Sequence, residues 1–205
     1  MTAIKKVIQM IYYAIRLLIL GSLLLSQEAA FVGTNRCKAC HSSEKKGAQY
    51  KIWKETKHAK AFDALLTEKA RKIGIEKGLK SSPDKAPECL ECHTVGFGAG
   101  GYEVMDEKFW SPADDDRAGK KAAKRMENLK NVGCENCHGP GSAYKKKKIM
   151  EAIDAGTASR DEYGLLKPNE ESCKRCHNER SPSYKPFNFE ERIAEITHPF
   201  PADMK

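Results

Sequence analysis

One short pattern occurs four times in this chain and uses all eight of its cysteines. It consists of a cysteine, two variable residues, a second cysteine and a histidine. Two thiols on one helical turn can bond to the two vinyl groups on one side of a porphyrin, and the adjacent imidazole can bind its iron. The sequence therefore predicts four covalently bound haem c groups. The paired cysteines are Cys37 and Cys40, Cys89 and Cys92, Cys134 and Cys137, and Cys173 and Cys176, followed by His41, His93, His138 and His177.

Zinc sites and thiol redox pairs also use two cysteines at this spacing. Neither of them needs a histidine directly after every pair. Only 6 of the 205 residues are histidine, so four such placements by chance have a probability of about one in a million, which favours haem attachment. With every thiol bonded to haem, none is left for a disulfide.

The first thirty residues differ in composition from the rest of the chain. Two lysines precede an apolar run over residues 7–26, which is interrupted by Arg16. This pattern predicts a secretory signal peptide over residues 1–30 and a tetrahaem domain over residues 31–205. The alternative is an uncleaved membrane anchor, because the run approaches the ~20 residues of a spanning helix. Arg16 near its centre would cost about 2.5–3.5 kcal/mol, which favours the signal peptide.

Export agrees with the predicted cofactor, because c-type haems are attached outside the cytoplasm in bacteria and archaea. We therefore expect a periplasmic or extracellular protein, with membrane contact only through the N-terminal segment if it is uncleaved. The formal net charge is +8, and it falls to +6 without residues 1–30. Eight haem propionates would largely cancel that excess. Since aromatic residues are not interleaved with the basic ones, no nucleic-acid partner is expected.

Helical patterns dominate the remaining sequence, and strand patterns are nearly absent. The predicted fold is mainly α, with helices and loops wrapped around the haems and little or no sheet. The expected core is haem packed by aromatic side chains rather than a layer of aliphatic ones. The predicted helices cover about 43–77, 120–129, 142–155 and 189–196, and the core aromatics are Trp53, Phe62, Phe97, Phe109, Trp110, Tyr144 and Phe187.

A glycine-dense loop over residues 96–102 follows the second motif. We expect its backbone to pass close to a haem edge, where a side chain would not fit. A flexible loop is the alternative.

The number of histidines limits how the irons are ligated. Four of the six follow the cysteine pairs, which leaves His58 and His198 as sixth ligands. At most two haems are therefore bis-histidine, unless another subunit lends a ligand. The others are five-coordinate or use another side chain, and an open iron could bind a small molecule. Candidate replacements are Met105, Tyr144, Lys148 and Met150, although packing or solvent contact is the simpler role for each.

Several longer stretches resemble the cytochrome c-554 family, the tetrahaem electron acceptors of hydroxylamine oxidoreductase in ammonia oxidisers. They are Trp53 with residues 57–61, residues 92–102, residues 132–141 and residues 189–198. The resemblance implies stacked haem pairs, three bis-histidine irons and one five-coordinate iron at His93. It also implies that His58 and His198 serve the third and fourth haems. The family has a further distal histidine after the Gly-Pro-Gly turn, and this chain has none there.

The expected function is electron transfer between redox partners, with no catalytic residues. The resemblance implies a donor like the multihaem hydroxylamine oxidoreductase. The acceptor would be a quinone-linked membrane cytochrome or another cytochrome. One alternative is a reductase of a small molecule such as nitric oxide at a five-coordinate haem. The other is a subunit of an extracellular haem filament, in which a neighbour supplies the missing ligands.

Overall fold

The computed structural model describes Gln9 and residues 29–199. The predicted export segment lies almost wholly outside these residues. Within the described part, no helix is long and apolar enough to cross a membrane.

Short helices joined by turns make up the described chain, and an isolated bridge between Thr94 and Lys130 is its nearest approach to a sheet. The mainly α fold predicted from the sequence is confirmed. The α-helices are α1 Asn35–His41, α2 Gln49–Glu55, α3 Ala61–Leu65, α4 Glu68–Glu76, α5 Pro87–His93, α6 Glu107–Trp110, α7 Arg117–Glu127, α8 Cys134–His138, α9 Lys147–Asp154, α10 Glu170–Lys174 and α11 Phe189–Ile193. Single 3-10 turns cover Glu44–Lys46, Lys57–Lys60 and Asp161–Tyr163.

The prediction of one helix over residues 43–77 is wrong, because three breaks divide this region. Ala48 has a left-handed backbone with φ of 49°. Thr56 and Thr67 are extended, and the Thr67 hydroxyl accepts a hydrogen bond from the Ala70 N–H to begin α4. The breaks turn the segment back onto the motif helices, so that α3 packs against α5.

Two other helix boundaries also differ from the sequence expectation. Helix α7 begins at Arg117, three residues earlier than expected, and includes Gly119. The Asp116 carboxylate caps this helix by accepting from the Gly119 N–H at 2.8 Å, which stabilises its first turn. Helix α9 begins at Lys147, five residues later than expected.

A small protein core lies beside the second motif. It consists of Phe62, Leu65, Leu90, Val95, Tyr102, Met126 and Leu129, with Phe97, Phe109 and Trp110 partly buried against it. The sequence correctly predicted an aromatic contribution and missed the aliphatic one. Leu90 and Leu129 are 0% exposed, so the chain has an apolar core of its own.

The glycine-dense loop folds against its own backbone. The Val95 carbonyl accepts from the Tyr102 N–H at 2.8 Å, and the Gly96 carbonyl accepts from the Gly101 N–H at 2.9 Å. A Cβ at Gly101 would lie 2.1 Å from the Val95 oxygen. The absence of a side chain at Gly101 is therefore required by the loop itself, which is a different reason from the predicted haem edge.

Replacing Gly101 with alanine is expected to destabilise the protein by about 1–3 kcal/mol, because backbone atoms must move to admit the methyl group. Gly98→Ala is the matched control, since a Cβ at Gly98 meets nothing within 4 Å and adds only the strain of a φ of 73°. Chemical denaturation of both variants, followed by circular dichroism, measures the difference. Equal losses would show that backbone conformation, rather than the close contact, selects glycine at position 101.

Candidate haem-binding site

Contacts between residues of different motifs show how the four motifs are arranged. The Cys37 thiol of the first motif lies beside the Cys134 thiol of the third, and the Cys92 thiol of the second motif lies beside the Cys176 thiol of the fourth. The third and fourth motifs meet where the Arg175 guanidinium donates to the Asn136 carbonyl at 2.5 Å. The third motif also reaches the second, because the Asn136 side-chain amide donates to the Thr94 carbonyl, directly after His93, at 2.9 Å. The second, third and fourth motifs therefore contact one another, and the first contacts the third.

The paired thiols perturb each other's protonation. The hydrogen bond with Cys134, together with burial, raises the pKa of Cys37. The hydrogen bond with Cys176 lowers the pKa of Cys92 to about 7, with help from the Arg180 charge. None of the eight cysteines forms a disulfide, so all are available for thioether bonds.

Two pairs of histidine rings face each other across gaps of similar size. The ring centroids of His58 and His177 lie 6.0 Å apart, and those of His138 and His198 also lie 6.0 Å apart. Two imidazoles bound to opposite sides of one metal ion at about 2.0 Å per bond place their centroids roughly 6 Å apart. Each gap therefore fits one haem iron with a proximal and a distal imidazole.

Both pairs join a motif histidine to one of the two histidines outside the motifs. His58 lies on the 3-10 turn Lys57–Lys60, and its carbonyl accepts from the Val132 N–H at 3.1 Å. His198 follows α11.

Polar contacts at Nδ1 orient three of the motif imidazoles. The Nδ1 atom of His93 lies 2.5 Å from the Ala61 carbonyl oxygen. Those of His41 and His138 lie 3.3 Å from the Gln49 Oε1 and the Leu166 oxygen. A carbonyl partner at Nδ1 fixes the proton there and leaves Nε2 to bind a metal.

Aromatic packing supports the fourth motif in place of such a contact. The His177 ring stacks on Phe187 with a centroid distance of 4.7 Å and an interplanar angle of 22°. Phe187 was predicted as a residue packing against haem, and in the described chain it packs against a proximal ligand.

Burial sets the protonation of both histidine pairs. It is the largest cause lowering the pKa values of His58, His138, His177 and His198. The nearby His177 lowers the pKa of His58 further, since two imidazolium charges repel each other. Neutral imidazole is the form that binds a metal. These four side chains are thus prepared for ligation near neutral pH.

The alternative sixth ligands proposed from the sequence lie in different environments. Tyr144 is buried, and its hydroxyl donates to the Gly139 carbonyl at 2.6 Å. Lys148 is exposed on α9. Met105 lines an open cavity of about 200 Å³ with Phe62, Tyr102 and Trp110. None of these is placed opposite His41 or His93 by a contact in the described residues.

The structure adds two groups that sequence reasoning missed. Gln49 is the partner of His41, and nothing in its local sequence marks it. Glu135 is buried inside the third motif and accepts hydrogen bonds from three backbone N–H groups. The sequence offered one signal for Glu135: it is a charged residue at a variable position of the third motif, which leads into the Gly-Pro-Gly turn.

A protein-family model for cytochrome c554 and c-prime matches residues 36–139, just over half of the chain. The chain belongs to the cytochrome c554 and c-prime family. Membership confirms the resemblance drawn from the sequence and makes the protein a c-type cytochrome with covalently bound haem c. The matched region contains the first three motifs, and the fourth, at residues 173–177, lies beyond it.

Similar proteins include cytochrome c-554 of Nitrosomonas europaea, which is 31% identical over 165 residues. That alignment covers 75% of this chain, and the chain spans 60% of the length of that relative. A solved structure of reduced cytochrome c554 from the same organism is 28% identical. It matches with a TM-score of 0.47 over 82% of this chain and 78% of the other.

Proposed function

We propose that this protein is a tetrahaem electron-transfer cytochrome that carries one haem c on each of its four motifs. The observation that carries the proposal is the pair of 6.0 Å histidine gaps, at His58 with His177 and at His138 with His198. Each pair would hold one haem iron by two imidazoles, which would leave no position there for a substrate, as expected of a haem that only passes electrons.

The contacts between motifs support electron transfer from haem to haem within the molecule. When bound, each haem supplies a one-electron iron couple, and the protein sets its position, ligands and surroundings. The third and fourth motifs carry the two histidine pairs and contact each other. The third motif also contacts the first and the second, which joins the four haem positions into one connected group.

The proposed location rests on the N-terminal sequence, and the proposed partners rest on the family. The protein is exported by the segment over residues 1–30 and works in the periplasm or outside the cell. Its donor is a multihaem enzyme of the hydroxylamine oxidoreductase type, and its acceptor is a quinone-linked membrane cytochrome or another cytochrome. Lys146, Lys147 and Lys148 are exposed at the start of α9, which provides a basic surface for an acidic redox partner.

A haem count tests the proposal directly. The chain is produced with a cytochrome c maturation system, and intact mass spectrometry is expected to show four haem additions. Replacing both cysteines of the fourth motif, Cys173 and Cys176, with alanine is expected to remove one addition and leave three. A wild-type mass with three or fewer additions would contradict the tetrahaem assignment.

The histidines also favour a second candidate function at the irons of the first and second motifs. Both histidines outside the motifs are already paired with His138 and His177, so this chain has no histidine left to oppose His41 or His93. An iron with an open position binds small molecules such as nitric oxide. Titrating the reduced protein with carbon monoxide tests this candidate. A Soret shift in up to two haems is expected, and an unchanged spectrum would exclude it.

A further inference from the structure

A buried carboxylate lies inside the third haem motif. Glu135, between the two cysteines of the motif, is only 2% exposed. The Val32 N–H donates to its two oxygens at 2.9 and 3.1 Å. The Gly33 N–H donates at 2.7 Å and the Gly141 N–H at 2.6 Å. Every contact comes from a donor, so both oxygens act as acceptors, as in the ionised group.

Among residues 29–199, Glu135 has no cationic partner to neutralise it. Within the described part of the chain, no Lys, Arg or His nitrogen lies at ion-pair distance from its oxygens. Backbone N–H groups satisfy its hydrogen bonding but carry no net charge. In a poorly polarisable interior, an unneutralised charge acts over a longer distance than it does at a surface.

The pKa values of neighbouring groups show the sign of the electric field that the Glu135 carboxylate produces. Burial is the main cause that raises the pKa of Tyr144, and the Glu135 charge adds to it. At Cys37 the hydrogen bond with Cys134 and burial raise the pKa, and Glu135 raises it further. At each of these groups the carboxylate opposes another negative charge. The same field opposes an electron added to a haem attached at Cys37 or Cys134.

We propose that Glu135 is a fixed buried anion that lowers the reduction potentials of the haems on the third and first motifs. The step concerned is the gain of one electron by a ferric haem to give the ferrous haem. A negative charge close to the ring disfavours the reduced, more electron-rich state. The proposal rests on the proposed function, because it requires haem at these two motifs.

A purely structural role for Glu135 is the competing explanation, because the same contacts hold the N-terminal segment. Other groups hold this segment without adding a negative charge. The Asn35 side-chain amide donates to the Asn128 Oδ1, and Arg125 donates to the Phe31 carbonyl at 3.0 Å. Asn128→Ala therefore loosens the segment and leaves the charge in place, which makes it the matched control.

The test is a spectroelectrochemical titration of the haem-loaded wild type, Glu135→Gln, Glu135→Asp and Asn128→Ala proteins. The expected result is a positive shift of the potentials of up to two haems in Glu135→Gln. Glu135→Asp retains the charge and Asn128→Ala does not alter it, so both are expected to keep wild-type potentials with a lowered melting temperature. Unchanged potentials in Glu135→Gln, or equal shifts in Asn128→Ala, would overturn the proposal.

Two further outcomes keep the test decisive. If the Gln variant does not fold, Glu135→Asp decides, because it alters the hydrogen-bond geometry but keeps the charge. Wild-type potentials then support the charge effect, and shifted potentials overturn it.

The mass of each loaded protein is measured first. A wild type without haem on the first and third motifs would refute the proposed function, whereas a fully loaded protein with unshifted Glu135→Gln potentials refutes only this inference.

Discussion

Replacing His58 with alanine is expected to convert one haem from the low-spin to the high-spin state. His58 faces His177 across 6.0 Å, so its removal leaves the fourth iron with one strong-field ligand. A high-spin signal of one haem equivalent should appear in electron paramagnetic resonance, with a matching change in the Soret band. The potential of that haem should rise, because a second imidazole stabilises ferric iron.

Lys57→Ala is the matched control for this variant, since Lys57 is exposed on the same 3-10 turn. It should leave all spectra unchanged. His198→Ala should produce the same kind of change at the third haem, because His198 faces His138. A His58→Ala protein that retains every low-spin haem would mean that His58 is not an axial ligand, and the 6.0 Å gap would lose its interpretation.

The haem motifs could be identified from the sequence because covalent attachment imposes a fixed local spacing. A Cys-x-x-Cys-His unit fits on one turn, so its chemistry does not depend on distant residues. His58 and His198 were found by a different argument, since they are the only histidines outside the motifs. Their partners were not derivable in this way. Pairing depends on how α11 and the Lys57–Lys60 turn pack against motifs far away in the chain.

The helix boundaries and the core show what local patterns miss. Apolar spacing over residues 43–77 is helical in period, yet Ala48 and Thr56 break it to bring α3 onto α5. Leu90 stands at a variable position inside a haem motif, where the motif spacing makes no demand on the residue type. Its complete burial depends on Leu129 and Val95, which belong to the same core. The Val95 N–H donates to the Leu129 carbonyl at 2.8 Å. Contacts between residues this far apart in the chain cannot be predicted from the local spacing of apolar residues.

Replacing Leu90 with alanine is expected to lower the free energy of unfolding by about 2–5 kcal/mol, because the side chain is fully buried and its loss leaves a cavity. Leu66→Ala is the matched control. Leu66 is 51% exposed, and the same substitution there should cost about 1 kcal/mol or less. Denaturant unfolding of both haem-loaded proteins, followed by far-ultraviolet circular dichroism, gives the comparison.

The Leu90 result also distinguishes two sources of stability. Intact mass should show every haem still attached in Leu90→Ala, because the flanking Cys89 and Cys92 remain. If the protein core stabilises the fold, Leu90→Ala loses far more than Leu66→Ala. It also loosens the contact of the His93 Nδ1 with the Ala61 oxygen, since both lie on the packed helices α5 and α3. Small and equal losses would instead mean that the haems alone hold the second motif in place.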